Sequence, residues 1–276
     1  MKKILLRVDC LTNMHVGSGD VSYSVIDNQV ERDPVLGVPE IHSSGVKGAF
    51  REHFEKENIP GIEEIFGKVT LKGQNEKETS PGTYKFMNAN MIARPMRVSK
   101  GNVSYIKTTS IDIINTEVEL LRNLGISKVN NVQVPEKPFK KLDHERNSIL
   151  VSDRDSIEEV EGMRVDKIKE SNDENRKKWV KFLEMMIDKS YAVMDSQTFL
   201  QQDLPVVARN CLDEKGISQN LWYEEIVPHK SIFYIIILTL KENKNFLENV
   251  NGKVIQFGGN ASIGYGFTKI RNMNIS

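Results

Sequence analysis

The sequence predicts an α+β domain, a sheet covered by helices on one side. Three observations carry that reading. Strand-like segments stand at both ends of the chain, an amphipathic segment directly follows the first of them, and further helical segments interrupt the middle. The length of 276 residues suits one large domain or two small ones, at roughly 100–200 residues each. With 39% hydrophobic and 28% charged residues, the chain can fill a core and is far from a disordered composition.

Taken in order, residues 3–10 alternate. Ile4, Leu6, Val8 and Cys10 fall on one face and Lys3, Leu5, Arg7 and Asp9 on the other, which predicts a strand with one buried side. A long irregular stretch, Asn13 to His42, carries Gly17, Gly19, Pro34, Gly37 and Pro39; loops of that length are usually functional. A helix starts after Ser43 and Ser44, with Val46, Phe50, His53 and Phe54 on one face and Pro60 as its stop. Ile62–Phe66 predicts a short second helix stopped by Gly67, and residues 68–82 read as a polar surface loop.

Residues 83–95 and 103–107 read as strands. Thr116 and Glu119 form a capping-box pattern for a helix ending near Gly125. Between Glu136 and Lys181 lie 12 basic and 12 acidic residues, so this region is a solvated mixed-charge surface and not a polybasic tail. Ser171 and Glu174 repeat the capping pattern ahead of an apolar stripe, Trp179, Phe182, Leu183, Met186 and Ile187. Pro205 to Pro228 reads as a projecting hairpin turning at Asp213–Gly216. Ser231–Leu240 is apolar nearly throughout and predicts a central strand buried on both faces. Val254–Phe257 and Phe267–Arg271 are short strands around a glycine loop, Gly258–Gly266.

Several function classes drop out. The longest apolar run, Ile232–Leu240, is far short of the roughly 20 residues that cross a bilayer. Arg7 and Asp9 break any secretory h-region near the start. Two distant cysteines, Cys10 and Cys211, make no disulfide framework, which points to a reducing cytoplasm. The 38 basic and 38 acidic residues cancel, so any basic surface for nucleic acid is local and balanced elsewhere. The five histidines (His15, His42, His53, His144 and His229) show no metal-ligand spacing. No GxSxG occurs, and Cys10 sits on the apolar strand face, which leaves no nucleophile.

The residues with chemical promise cluster at the two ends. Ser43, Ser44 and Gly45 stand at a helix start with Lys47 in its first turn, a place suited to an anion; a plain serine cap followed by a surface lysine has the same pattern. The glycine loop, with Gly258, Gly259 and Asn260 at its head, lets backbone approach a phosphate, as a tight turn also would. It is neither a P-loop nor a dinucleotide fingerprint. Asp27 lies in the long loop, and His15 is a possible acid–base group near a strand end. Trp222 and Tyr223 have the faces to stack on bases, although one of the pair is expected to anchor the hairpin in the core.

The series Ile26-Asp27-Asn28, Arg32-Asp33-Pro34, Gly37-Val38-Pro39 and Ser43-Ser44-Gly45-Val46-Lys47-Gly48-Ala49-Phe50-Arg51 resembles the RAMP superfamily of CRISPR type III effectors. The Gly258–Gly266 loop resembles that superfamily's glycine-rich loop. Leu221-Trp222-Tyr223-Glu224-Glu225, followed by Pro228, is similar to the backbone subunit of the type III-B Cmr complex. The chain departs from the family in carrying His42 where glycine is usual and Gly45 where leucine is usual.

The resemblance implies one RAMP domain over residues 1–276, with a ferredoxin-like, RRM-related core from both chain ends. It also implies a helical lid within residues 68–204 and a thumb hairpin at 205–228. It implies copies stacked along a CRISPR RNA, assembled with other Cmr subunits. Complementary target RNA would be cut at regular intervals with Mg²⁺ or another divalent cation. The motif aspartate falls on Asp27, as catalytic residue and metal ligand, with His15 as a lesser assistant. Ser43, Ser44, Lys47, Arg51, Gly258, Gly259 and Asn260 would hold guide RNA, and Trp222, Tyr223 and Glu224 would lie near the target. A non-catalytic guide-binding scaffold, the type III-A (Csm) backbone counterpart, a metal-free CRISPR RNA-processing endonuclease and an unrelated soluble α+β binding protein are the competing expectations.

Overall fold

The computed structural model describes residues 1–17, 19, 25–72, 76–143, 145–152, 156–168, 173–241 and 243–276. In chain order its strands are β1 Lys2–Cys10, β2 Glu40–Ile41, β3 Gly67–Lys72, β4 Glu76–Pro81, β5 Tyr84–Gly101 and β6 Tyr105–Ser110. There follow β7 Lys128–Val129, β8 Val132–Gln133, β9 Ile149–Val151, β10 Ile157–Val160, β11 Met163–Lys167 and β12 Tyr191–Met194. The last are β13 Val206–Leu212, β14 Ser218–Glu225, β15 Ile232–Thr239, β16 Val254–Gln256 and β17 Phe267–Met273. The helices are α1 Ser43–Lys56, α2 Ile62–Phe66, α3 Ile111–Asn123, α4 Glu174–Met186, α5 Ser196–Leu200 and α6 Lys244–Val250.

A large mixed sheet runs β10-β11-β9-β12-β6-β5-β15-β1-β17-β16, with β2 added on β5. Its heart is antiparallel: β1 lies between β15 and β17, and β15 pairs in turn with β5. Helix α1 falls between β1 and β5 in the chain, and α6 between β15 and β17. The long strand β5 begins beside β15 and ends beside β6 and β10, so it joins the two halves of the sheet.

Side-chain alternation divides the core into two layers. Ile4, Leu6, Val8 and Cys10 of β1, with Phe233, Ile235 and Ile237 of β15, meet Val46, Phe50 and Phe54 of α1 and Phe246 of α6. Leu5, Ile232, Tyr234 and Ile236 face the other way, toward α3 and α4. The helices therefore cover both faces, not one as the sequence suggested, because the middle of the chain folds back over the second face of the sheet. The second face of β1 is accordingly buried as well. Arg7, only 8% exposed, donates to the carbonyls of Met186 (3.0 Å) and Ile187 (2.9 Å) that end α4. These carbonyls have no partner within their helix, and a cation suits that end.

Other elements depart from expectation. The polar stretch 68–82 forms an antiparallel hairpin, β3–β4, in place of a loop. The α3 helix starts a turn and a half before Thr116: the Ser110 hydroxyl accepts from the backbone N–H of Ile113 and caps it. Ser171 lies outside the described residues, and Asp173 is the side chain that caps α4. The apolar stripe of α4 is buried as its period requires. Among the described residues, no helix is long and apolar enough to cross a membrane.

Candidate functional site

The Pro205–Pro228 segment forms an antiparallel hairpin whose β13 is largely exposed, with a tip closed by Gly216 N–H donating to the Asp213 carbonyl at 3.0 Å. Its outer edge is not left bare. Residues of the long loop dock along β14: Asn28 N–H donates to Tyr223 O at 3.1 Å, and Glu225 N–H donates to Asn28 O at 2.9 Å. Strand edges invite this pairing, because each presents a row of unmade backbone hydrogen bonds. Asp27 is carried with them. It is exposed, and its Oδ2 accepts from Tyr223 N–H at 2.7 Å, which leaves Oδ1 for other chemistry.

The rest of the Asn13–His42 stretch is more ordered than a loop of its length suggests. It doubles back through bridges between Gly17 and Val30 and between Arg32 and Pro39, and Met14 pairs with Val227 at the hairpin base. Ser18, in the glycine motif after His15, lies outside the described residues, as does His144.

Beneath Asp27 the hairpin is seated by two consecutive glutamates. Glu224 is 3% exposed. Its carboxylate accepts from Arg209 Nε at 2.8 Å and from Asn260 Nδ2 at 2.6 Å. Arg209 in turn lies over the Tyr265 ring, 4.6 Å from its centroid. Glu225 accepts from Val30 N–H at 3.1 Å and pairs with Arg32. The two carboxylates thus tie the hairpin to the glycine loop and to the Asp27 segment. Glu224, expected near the target, is an interior strut, because the last residues of β14 enter the body of the protein. Trp222 is half-buried and Tyr223 exposed, so neither becomes the core anchor that was expected of one of them.

His15 is also interior, 9% exposed. Its Nδ1–H donates to the Glu225 carbonyl at 2.7 Å, and Nε2 stands 3.7 Å from Glu224. Its own carbonyl accepts from Gly259 N–H at 2.9 Å. This geometry makes the ring a support between hairpin and glycine loop, with Nδ1 committed to the Glu225 carbonyl and Nε2 turned toward Glu224 without a hydrogen bond. Gly258 has φ +77°, and a Cβ there would lie 2.2 Å from the His15 carbonyl oxygen, so packing alone demands the glycine. Gly264 faces open space, whereas a Cβ on Gly259 would meet the His15 carbonyl oxygen at 4.0 Å.

The second part of the site is the start of α1. His42, not serine, is the cap: it has extended backbone, and Nδ1 accepts weakly from Ser44 N–H at 3.4 Å. Ser43 is already helical, and its N–H donates to Asn88 Oδ1 at 2.9 Å. Lys47, the fifth residue of α1, is half-buried and makes no ion pair among the described residues. Arg51 is less available. It pairs with Glu55 at 2.7 Å and leans on the Gly67 carbonyl.

Among the described residues, no cluster of three or more His, Cys, Asp or Glu side chains has the geometry to hold a metal. Asp27 Oδ1 fits a magnesium ion that takes one carboxylate and completes its shell with phosphate oxygens and water, a habit of that ion. Cys10 is fully buried, and burial, with Asp9 beside it, pushes its thiol far up, in keeping with the absence of a nucleophile.

Sequence reasoning missed Glu225, Arg32 and Arg209 as parts of this site. Glu225 stood inside a quoted motif, but two adjacent buried carboxylates contradict strand alternation, and only the end of β14 passing into the body explains them.

The RAMP superfamily family model matches residues 7–269, a span that holds the helix start and the glycine loop as well as the docked aspartate segment. The chain belongs to the RAMP superfamily. At the level of particular proteins, it is 29% identical to the CRISPR system Cmr endoribonuclease Cmr4 of Pyrococcus furiosus, over 98% of this chain and 95% of that one. In fold it is similar to oligomeric Cmr4 from Pyrococcus furiosus, with a TM-score of 0.70 at 23% identity, covering 100% of this chain and 99% of that one. It is also similar to a chain of a type III-B Cmr-beta complex bound to cognate target RNA, with a TM-score of 0.69 at 19% identity, covering 99% and 97%.

Proposed function

We propose that this chain is a backbone subunit of a type III-B CRISPR effector: copies stack along a CRISPR RNA with other Cmr subunits, and each copy cleaves bound complementary RNA. The observation that carries the reading is the exposed Asp27 carboxylate, fixed by Tyr223 N–H to the flank of a projecting hairpin. The near full-length likeness to a Cmr endoribonuclease supports it and favours type III-B over the type III-A counterpart. The strand order β17-β1-β15-β5, with α1 and α6 as crossovers on one face, is that of a ferredoxin-like core. Residues 102–204 then form the lid and β13–β14 the thumb. A reducing cytoplasm suits the two unpaired cysteines.

Guide RNA is held by its backbone at the α1 start, through Lys47 and the N–H groups that Asn88 and His42 leave free, and by close approach to the glycine loop at Gly259 and Asn260. Base pairing reads the sequence, so these contacts need none of their own. The hairpin splays a target nucleotide. Its ribose 2′-OH then attacks the adjacent phosphorus: the hydroxyl gives up its proton to solvent as the 2′-O–P bond forms, the P–O5′ bond breaks as O5′ takes a proton from water, and the products are a 2′,3′-cyclic phosphate and a 5′-hydroxyl. Asp27 Oδ1 orients the 2′-OH or holds the divalent cation, while Oδ2 stays fixed on Tyr223. When bound, the cation neutralises charge developing on the phosphate. Glu224, Glu225 and His15 keep the hairpin and the Asp27 segment in register and act as positioning residues.

The test is the guide-loaded complex with labelled complementary RNA, with Mg²⁺ or with chelator. Products at one regular spacing that vanish with chelator are expected. Tight target binding with no products under any divalent cation would make the chain a scaffold.

A further inference from the structure

A cavity of about 340 Å³ opens between β2, β5, β15, α3 and the start of α1. Its polar wall holds Asp33, Glu40, Asn88, Asn90 and Glu117, with Ser43 and Tyr234 beside them. Two of the three acids are occupied. Asp33 Oδ1 accepts from the N–H groups of Val35 (2.9 Å) and Leu36 (2.6 Å), and Glu40 accepts from Asn88 Nδ2 at 2.9 Å. Glu117 is different: it is 4% exposed, in the middle of α3, and although Asn90 bonds its carboxyl, Oε1 has no hydrogen-bond partner. A buried polar atom left this way costs stability unless something arrives to satisfy it.

Phe86, Met87, Leu120 and Ile236 supply the apolar walls. An apolar sleeve ending in carboxyls matches a lysine, whose methylene stem packs while its ammonium is paired. An RNA phosphate would meet three acids there and be repelled. We propose that this cavity receives a lysine side chain of the next copy of the chain, Lys137 or Lys140, and so forms a charged joint between stacked subunits. The proposal rests on the stacking reading given above and adds a site to it.

The choice of a second copy follows from where the positive charge lies. The Asn115 side chain donates to Phe139 O (3.2 Å) and accepts from Phe139 N–H (2.7 Å), which pins the segment 137–140 against α3. Asn115 and Glu117 are two residues apart, so they point to opposite flanks of that helix, roughly 200° apart. Lys137 and Lys140 are exposed on the far flank, and neither makes an ion pair among the described residues. An acidic socket on one flank and unpaired lysines on the other are what a head-to-tail contact requires, since it joins two different patches of one chain.

Ionisation of the socket makes the joint sensitive to pH. Burial raises the Glu117 carboxyl to about 7. The titratable groups facing it are Asp33, Glu40 and Tyr234, whose phenol burial holds far up; Arg7, beyond Tyr234, is committed to Asp9 and to the end of α4. On its own helix, Arg122 is turned to the Glu136 carbonyl. A carboxyl raised in the empty socket is neutral below its titration and charged above it. Self-association therefore tightens as pH rises toward 8, by at most tenfold per pH unit and about tenfold in all.

The experiment is sedimentation of the full chain at pH 6 and pH 8, without RNA and loaded on guide RNA. Wild type is expected to associate about tenfold more tightly at pH 8. Glu117→Gln, nearly isosteric, and the surface double variant Lys137→Ala/Lys140→Ala are each expected to lose that gain, and the glutamine variant also to lose the fall in monomer melting temperature between pH 5 and pH 7. Variants that associate as wild type does, with the same pH dependence, overturn the proposal while stacking stands. Glu117→Gln weakening guide-RNA binding by the monomer, with self-association unchanged, would mean a nucleotide occupies the cavity and overturns it equally. A wild-type chain that never stacks on guide RNA refutes the stacking reading itself.

Discussion

Gly45 stands in the first turn of α1, where a Cβ would meet only Ile41 Cγ2, at an ordinary 3.6 Å. Its φ is not in the left-handed region, so nothing in the fold itself demands glycine there. Gly45→Ala is therefore expected to stabilise the protein by roughly 0.5–1 kcal/mol, read by thermal denaturation, since glycine is a poor helix former. The same methyl would stand beside the N–H groups assigned to guide phosphate, so guide affinity is expected to fall several-fold in a filter-binding titration. Unchanged affinity would remove the α1 start from the RNA path. The sequence placed the helix, with Lys47 on it, correctly, but not the cap. Ser43 and Ser44 are good capping residues in general, and His42 takes the role because Asn88, distant in sequence, already satisfies the Ser43 N–H.

Among elements, the β13–β14 hairpin depends most on single contacts. It is seated by Glu224, which serves Arg209, Asn260 and the neighbourhood of His15 together. Glu224→Ala would leave Arg209, 19% exposed, and Asn260 without their acceptor. Because Arg209 is partly solvated, the loss is expected to be about 2–3 kcal/mol, below that of a fully buried pair. Cleavage products should also lose their regular spacing while guide binding persists, measured by melting and by product mapping. The hairpin itself was legible, since its turn residues and bounding prolines are local signals. The β3–β4 hairpin was not: β4 is polar on both faces, Val69 and Leu71 are the only apolar alternation in β3, and the backbone pairing is what shows the stretch as strands. The start of α3 was misplaced for a similar reason. Thr116 and Glu119 satisfy a capping pattern that the helix runs through, while Ser110 holds the true end.

For the whole molecule, the fold brings the two ends of the chain together. Strand β1 is clasped by β15 and β17, and that pairing delivers the glycine loop, the hairpin base and the His15 segment to one place. Periodicity identified these strands singly, β15 most plainly, but could not show that the middle of the chain returns to cover the second face. That requires Arg7 to cap α4 from 179 residues away. The site shared that limit: Asp27 was visible through its motif, whereas its fixing to Tyr223 is a tertiary fact. The account turns on this carboxylate. The deciding measurement is cleavage of labelled complementary RNA by the guide-loaded complex carrying Asp27→Ala, with target binding measured in parallel. Loss of at least a hundredfold in rate with binding unchanged is the predicted result; cleavage at the wild-type rate would contradict it.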